Sequence, residues 1–293
     1  MSPAFLERVL RRAFDCSTLR LIAVHPTAGG CIHSAARVET SEGDAFVKWN
    51  ARVARDLFTA EAKGLSELEA AASGLVVPKV LLAGSPDGDT PGFLVLEYLR
   101  TAPRGAAIDE ALGRGLAAVH RRAAGSFGFT VPTYCGPTPQ DNTASASWVE
   151  FYRDRRLRFV LGLLASERGL SSAERGIFER LFDRLPQLLP HAATPALIHG
   201  DLWSGNVMAS ANGPAVFDPA CSYADREMEF GITLLFGGFS AVFFDAYKEA
   251  WPLPPGWEER HPIYRLYHLL NHHLIFGGHY LGEALAVARR YVG

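Results

Sequence analysis

Two carboxylates and an amide in the C-terminal half of the chain have the types and the spacing that phosphoryl transfer requires. Asp201 follows an apolar stretch, Asn206 comes five residues later, and Asp218 ends a second apolar stretch. The transfer needs a carboxylate that accepts a hydrogen bond from the attacking hydroxyl, together with oxygen ligands for Mg²⁺. The pattern therefore predicts Asp201 as the catalytic base and Asn206 and Asp218 as the magnesium ligands, although an Asp and an Asn at this spacing are by themselves common in turns.

A lysine and a glutamate in the first part of the chain predict where the phosphates of ATP bind. Lys48 lies in a run with strand character, where a charged residue needs a partner. Glu61 follows 13 residues later on the first large helix, and a strand lysine paired with a helix glutamate is the kinase arrangement. Glu69 competes for the pairing, and an edge lysine in water with an unrelated glutamate is the alternative.

Two further segments complete the predicted nucleotide site. Gly29 and Gly30 follow the first apolar stretch and predict a loop that covers the phosphates, although a glycine pair in a hairpin is usually structural. Cys31 would then lie close to the nucleotide, where an exposed thiol would be sensitive to oxidation. The residues from Glu97 to Leu99 predict the hinge, whose backbone would bind the adenine.

The elements that must position these residues change in character along the chain. Strand patterns predominate in residues 1–99, with runs at 21–24, 33–40, 44–50, 76–82 and 93–96. Helical patterns predominate in residues 100–293, with runs at 108–121, 148–166 and 172–189 and a β-like stretch at 196–218. We therefore predict an α+β fold with two lobes: a mostly antiparallel sheet lobe for the nucleotide and a larger helical lobe for catalysis and substrate, with the ligands between them.

The composition is that of an ordinary globular protein and argues against several other classes. The 293 residues carry 29 basic and 31 acidic side chains, so a nucleic-acid partner is not expected. Four cysteines without a CxxC pair argue against a zinc site or a disulfide framework. No signal peptide or membrane-spanning run is recognised, and we expect a soluble cytoplasmic protein that is a monomer or a weak dimer.

The string from residue 199 to residue 207, His-Gly-Asp-Leu-Trp-Ser-Gly-Asn-Val, followed by Asp218-Pro219-Ala220, resembles the fructosamine/ketosamine 3-kinase family. That family is related to aminoglycoside and choline kinases, and the resemblance covers nearly the whole chain. Further matching segments lie at 29–32, 46–48, 134–136, 236–239 and 271–272. The resemblance implies a protein-kinase-like fold and ATP-dependent phosphorylation of the 3-hydroxyl of a ketosamine, a sugar adduct of an amine. The unstable product then sheds its sugar, a deglycation reaction.

The resemblance also implies roles for side chains around the catalytic turn. His199 and Glu229 would support that turn from behind, although a carboxylate that meets a helix dipole is the simpler interpretation of Glu229. Asn271 and His272 would contact the substrate. The position of Trp203, two residues after the base, predicts that its indole lies against the sugar, with plain packing as the alternative. His268 and His272 have the i, i+4 spacing that can bind a metal, but no third ligand lies nearby in the sequence. Core packing or a substrate hydrogen bond is therefore favoured over zinc.

Two departures from protein kinases bear on regulation and on the alternatives. Gly200 stands where they have an arginine before the base, and Pro219 follows the metal-binding Asp in place of Phe-Gly. We therefore expect a site that assembles without phosphorylation. The alternatives are an aminoglycoside- or choline-type kinase, which would favour an acidic acceptor pocket, and a non-catalytic ATP-binding pseudokinase, which the complete set of polar residues disfavours.

Overall fold

The computed structural model describes residues 2–27 and 33–292. Its N-terminal part is a five-stranded antiparallel sheet with the strand order β1-β2-β3-β5-β4. The strands are β1 (Leu21–Pro26), β2 (Ser34–Thr40), β3 (Gly43–Asn50), β4 (Val80–Gly84) and β5 (Gly92–Glu97). Two helices accompany this sheet, α1 (Pro3–Ala13) and α2 (Leu57–Ala71).

The C-terminal part is mostly helical. Its helices are α3 (Ala106–His120), α4 (Trp148–Glu150), α5 (Phe159–Glu167), α6 (Ser172–Leu188), α7 (Glu229–Phe236), α8 (Ala241–Ala250), α9 (Trp257–Phe276) and α10 (Tyr280–Val292). Short antiparallel pairs join β6 (Thr133–Cys135) to β7 (Thr138–Gln140), β8 (Ala196–Ile198) to β11 (Ser222–Ala224), and β9 (Val207–Ser210) to β10 (Gly213–Val216). The last two pairs bracket the polar turns of the predicted active site.

Strand β3 shows how the sheet delivers Lys48 to the interior. Successive side chains of a strand point to opposite faces. Ala45 and Val47 belong to the core that α1 closes, while Phe46 packs against the core that contains α2. Lys48 shares the face of Phe46, so it points towards α2 and is buried there.

A separate core, formed mainly by α5, α6, α9 and α10, supports the helical part. Helix α6 begins with a capping box, in which Ser171 and Glu174 satisfy each other's backbone N–H groups. The run predicted as one helix over 148–166 is wound in the wider π form over Phe151–Arg158, between α4 and α5. Hydrophobic periodicity does not distinguish a π segment from an α-helix. A short π segment changes the number of residues per turn by less than the pattern can resolve.

The predicted α+β arrangement, an antiparallel sheet followed by a larger helical part, is confirmed. The predicted run at 76–82 is shorter as a strand, since β4 begins at Val80, and Val76 instead bridges to Ala215 beside β10. The division between residues 99 and 100 stays a prediction. None of the helices in the described part of the chain combines the length and the apolar character that crossing a bilayer requires.

Candidate active site

Lys48 lies at the centre of a buried ion cluster. Its Nζ donates to Glu61 Oε1 at 2.8 Å and to Asp218 Oδ1 at 2.6 Å. Burial lowers the pKa of Lys48, but the Asp218 and Glu61 carboxylates outweigh burial and raise it, so the ammonium stays charged. The cluster joins β3, α2 and the turn after β10, which lie far apart in the sequence.

Asp201 and Asp218 each leave a short strand through a turn that demands an unusual backbone. Gly200 has φ +81°, and a Cβ built there would lie 2.2 Å from the carbonyl oxygen of Ala220. The arginine that protein kinases have at this position would therefore not fit. Asp218 itself has φ +58°, a left-handed conformation that is uncommon outside glycine and is often found at functional sites.

His199 connects the two turns. Burial lowers its pKa, so the ring is neutral, and its Nε2 lies 3.0 Å from the carbonyl oxygen of Phe217. A proton on Nε2 makes that contact a hydrogen bond and leaves Nδ1 to accept from the backbone N–H of Asp201 at 3.3 Å. One imidazole thus fixes Asp201 relative to the residue before Asp218.

Asn206 contacts both Asp201 and Asp218. Its Nδ2 donates to the backbone carbonyl of Asp201 at 2.9 Å and to Asp201 Oδ2 at 3.2 Å, and lies 3.4 Å from the carbonyl oxygen of Asp218. The amide oxygen is then the atom that Asn206 can offer to a cation. Asn206 therefore connects the turn that carries Asp201 to the turn that carries Asp218.

Glu229 supports the catalytic turn from behind. Its carboxylate accepts hydrogen bonds from the backbone N–H of His199 at 2.6 Å and of Gly200 at 3.0 Å. His120 Nε2 lies 3.4 Å from the same carboxylate, and Thr233 donates to the carbonyl of Leu202 at 2.8 Å. The side chain is fully buried, so these contacts do more than the helix dipole, which was the simpler interpretation of Glu229.

The environment of Asp201 disfavours its negative charge. Burial, and next the Asp218 carboxylate, raise the pKa of Asp201 to about 7. Hydrogen bonds from Cys135 and Asn206 act in the opposite direction. A carboxylate with a pKa close to the working pH is suited to accept a proton during a reaction.

Buried neutral groups also lie next to Asp201. The Cys135 thiol donates to the Asp201 carboxylate, and Asn271 Nδ2 donates to the backbone carbonyl of Cys135 at 3.2 Å. His268 of α9 is fully buried, and burial lowers its pKa to about 3, so its ring is neutral. Among the residues that the structure describes, the buried atoms His268 Nδ1 and Asn271 Oδ1 have no hydrogen-bond partner.

The structure separates the predicted substrate residues by exposure. The indole of Trp203 is 40% exposed and lies across Gly205, where a Cβ would be 2.1 Å from the ring. Asn271 is buried behind Cys135, so it does not face solvent. His272 is half-buried, and its Nδ1 bonds the carbonyl of His268 while its ring packs on Phe236.

The remaining nucleotide residues are only partly described. Glu97 ends β5, and Leu99 lies in the connection to α3, both half-buried. Gly29, Gly30 and Cys31 lie outside the described residues, so the predicted phosphate loop and its thiol have no structural account.

Sequence reasoning assigned no role beside Asp201 to Cys135 or His268. Cys135 was noticed only as part of a family string, and His268 only as half of an i, i+4 pair. They meet at Asp201 because β6 and α9 approach the catalytic turn from different parts of the chain. No spacing in the sequence signals such a meeting.

Comparisons with known proteins place this geometry among small-molecule kinases. Residues 7–292 match the family model described as fructosamine kinase. A chloroplastic protein-ribulosamine 3-kinase of rice (Oryza sativa subsp. indica) is 38% identical over 280 residues, which cover 93% of this chain and 80% of the rice protein. A mouse (Mus musculus) ketosamine-3-kinase is 32% identical over 310 residues, covering 97% of this chain and 99% of the mouse protein.

A solved structure agrees with the sequence relatives. A Thermobifida fusca protein, provisionally named fructosamine-3-kinase, superimposes with a TM-score of 0.86 at 34% identity, and the match covers 98% of this chain and 99% of that one. Similarity at this level extends to both the sheet part and the helical part of the chain.

Proposed function

Since this chain belongs to the fructosamine kinase family, we propose that it transfers the γ-phosphoryl group of ATP to the 3-hydroxyl of a ketosamine. One observation carries the proposal: the catalytic turn and the Lys48 ion cluster meet at Asp201 and Asp218 within a chain that matches the family over almost its whole length. The substrate class is a sugar joined to an amine, as the names of the rice and mouse relatives state for those proteins.

Asp201 would act as the base of the transfer. Its carboxylate accepts a hydrogen bond from the sugar hydroxyl and orients the oxygen in line with the γ-phosphorus. The new O–P bond forms as the bond from the γ-phosphorus to the bridging oxygen breaks, ADP leaves, and the hydroxyl proton passes to Asp201. The raised pKa of this carboxyl, about 7, favours that proton transfer near neutral pH.

Lys48 would bind the phosphates of ATP. It is a buried cation whose position is fixed by Glu61, while its second partner, Asp218, is 41% exposed. A phosphate oxygen can approach the ammonium on the Asp218 side without disturbing the contact to Glu61. The lysine therefore keeps one anchor when the nucleotide binds.

Asn206 and Asp218 fit a magnesium ion. The repulsion between the Asp201 and Asp218 carboxylates, which contributes to the raised pKa of Asp201, is the kind of interaction that a divalent cation relieves. The amide oxygen of Asn206 and the carboxylate of Asp218 are ligands that Mg²⁺ prefers. When bound, the ion would neutralise charge on the phosphates during transfer.

Trp203 is our candidate for the sugar contact. Its exposed indole lies two residues after the base and is held flat over Gly205, so it can cover one face of a sugar ring. The other side chains next to Asp201, Cys135 and His268, carry no charge. That neutral lining suits a sugar hydroxyl better than the polyamine groups of an aminoglycoside.

The proposal is tested by measuring Mg²⁺-dependent ATP turnover with a ribulosamine, a fructosamine, choline and kanamycin side by side. We expect turnover with a ketosamine and none above background with choline or kanamycin. Asp201→Asn should abolish turnover, with a loss of about 100-fold to 10,000-fold, because the amide cannot accept the proton.

ATP binding, measured by calorimetry, separates loss of chemistry from loss of fold. Asp201→Asn should still bind ATP, since the Lys48 cluster is intact in this variant. Turnover with choline or kanamycin in place of the ketosamines would contradict the substrate class, and ATP binding without turnover of any of the four would contradict the reaction.

A further inference from the structure

Three side chains of different elements bring potential metal ligands together beside the catalytic carboxylate. The Cys135 sulfur, an Asp201 carboxylate oxygen and a His268 ring nitrogen all lie within 4.8 Å of one another. Cys135 ends β6, Asp201 follows β8, and His268 lies in α9. Within residues 2–27 and 33–292 this is the single group of three or more His, Cys, Asp or Glu side chains with such spacing.

We propose that Cys135, Asp201 and His268 form a binding site for Zn²⁺ or a similar thiophilic cation, and that its occupation switches the enzyme off. A thiolate, an imidazole and a carboxylate are the ligands that zinc takes in proteins. Mg²⁺ prefers oxygen ligands and binds weakly to the sulfur and nitrogen atoms that this group offers. The two cations would therefore bind on opposite sides of Asp201.

The state of His268 supports the proposal. Its buried Nδ1 has no hydrogen-bond partner within residues 2–27 and 33–292, which is uncommon for a buried polar atom and calls for an explanation. Because burial keeps the ring neutral, a nitrogen lone pair is present at neutral pH. The ring is fully buried, so it is already desolvated before a cation arrives.

The geometry requires only a small adjustment. A tetrahedral zinc ion with bonds of about 2.0–2.3 Å keeps its ligand atoms roughly 3.5 Å apart, so no two of these atoms need to approach by more than about 1.3 Å. Asp201 is the partly exposed member of the group and is the side chain with room to move. Three protein ligands leave a fourth position for water, which is the pattern of an open zinc site.

Coordination would remove the base from the reaction. The Cys135 thiol donates a hydrogen bond to Asp201 when no cation is bound. When Zn²⁺ binds, a Zn–S bond forms, the thiol proton leaves to solvent, and a carboxylate oxygen coordinates the cation instead of a substrate hydroxyl. Burial raises the pKa of Cys135, so without a cation the thiol stays protonated and the carboxylate is free to act. The inhibitory part of the inference rests on the proposed kinase function, but the binding site itself does not.

Cobalt spectroscopy tests the site without any substrate. Co²⁺ added to the wild-type protein should produce the near-ultraviolet charge-transfer band of a sulfur–cobalt bond. Cys135→Ser should lose that band, and His268→Gln should need about tenfold more Co²⁺ or a larger excess to produce it. Cys221→Ser, which removes another fully buried thiol, and Cys31→Ser, which removes a thiol outside the described residues, should both keep it.

Zinc inhibition tests the consequence. With free Zn²⁺ set by a metal buffer, wild-type ketosamine phosphorylation should fall, and raising Mg²⁺ should not restore it. Cys135→Ser and His268→Gln, each compared with its own rate without zinc, should need about tenfold more Zn²⁺ or a larger excess for half inhibition. Circular dichroism shows that each variant is folded, and Cys135→Ala replaces Cys135→Ser if the serine variant is not.

Each outcome decides one of the two proposals. A cobalt–sulfur band that depends on Cys135 establishes the site even if no ketosamine is phosphorylated, in which case only the proposed function fails. No band in the wild type, or a band that survives Cys135→Ser, overturns the site. Zinc inhibition that Mg²⁺ relieves overturns the inhibitory role of the site. Each of these results leaves the kinase proposal untouched. In that event Cys135 and His268 serve only to position Asp201.

Discussion

The two sides of Asp201 are held in place by different kinds of interaction. On the nucleotide side, the buried Lys48 is held by two carboxylates at 2.8 and 2.6 Å. On the opposite side, Cys135 and His268 are equally buried but carry no charge. One side is fixed by ion pairing, and the other by hydrogen bonds and packing.

Because of this difference, the two sides should tolerate different substitutions. Removing one member of a buried ion pair leaves an uncompensated charge, whereas removing a neutral group leaves a cavity or an unsatisfied dipole. Enzyme activity should therefore fall sharply when the charge balance of the nucleotide side changes. Substitutions on the neutral side should have smaller effects. The stability of the neutral side should also depend on pH, because protonation of a neutral group introduces a charge.

Replacing Lys48 breaks the charged side and should have the largest effect. Lys48→Met keeps the length of the side chain but removes the cation that would bind phosphate, and leaves Glu61 and Asp218 without their partner. We expect kcat/KM to fall by about 1,000-fold, as measured by steady-state ketosamine phosphorylation. Lys63→Met removes an exposed lysine of α2, which pairs with Glu67, and serves as the control. Comparable losses in both variants would show that the buried pairs have no special role.

Replacing Glu229 tests whether the catalytic turn depends on a buried charge as the phosphate site does. Glu229→Gln weakens the acceptor for the backbone N–H groups of His199 and Gly200, so the turn should shift. A misplacement on the ångström scale lowers kcat by about 100-fold, while KM for ATP should change little.

The matched control for this variant is Glu283→Gln. Glu283 also lies in the first turn of its helix, α10, but is exposed. If Glu229 acted only through the helix dipole, the two substitutions would have similarly small effects on kcat.

The charged side could be predicted from the sequence more fully than the neutral side. Asp201, Asn206 and Asp218 occur within 18 residues and in a string with a strong family likeness, and Lys48 precedes Glu61 by 13. Local spacing therefore indicated which residues would converge. The alternation along β3 also placed Lys48 on an interior face. The roles of these residues stay predictions, but the structure does bring the residues close together.

The neutral side depends on contacts that no spacing encodes. Cys135 and Asn271 are 136 residues apart and meet through one hydrogen bond. Asn271 and His272 were expected to contact substrate, yet the fold buries Asn271 and packs the His272 ring on aromatic neighbours. Helical periodicity indicates which face is buried but not which segment covers it.

Acid should destabilise the neutral side through His268. The pKa of His268 in the folded protein, about 3, lies below the unfolded value of 6.5, so the unfolded chain binds more protons as the pH falls below 6.5. Between pH 7 and pH 5 this histidine should lower the free energy of unfolding by about 2 kcal/mol. Urea unfolding at both pH values should show a correspondingly smaller loss in His268→Gln. The exposed His279→Gln should behave like the wild type, and an equal pH dependence in all three proteins would contradict a buried neutral imidazole.

Replacing Trp203 should have the smallest effect on activity, because the side chain of this residue is open to solvent. Trp203→Leu removes the exposed indole but keeps an apolar side chain over Gly205. If the ring covers the sugar, KM for the ketosamine should rise by about tenfold while KM for ATP is unchanged, because the contact is made to the acceptor alone. Ile22→Ala, at an exposed apolar residue of β1, should change neither constant. A rise in KM for ATP in Trp203→Leu would instead mean that the indole belongs to the nucleotide side, and the division of the site at Asp201 would then have to be redrawn.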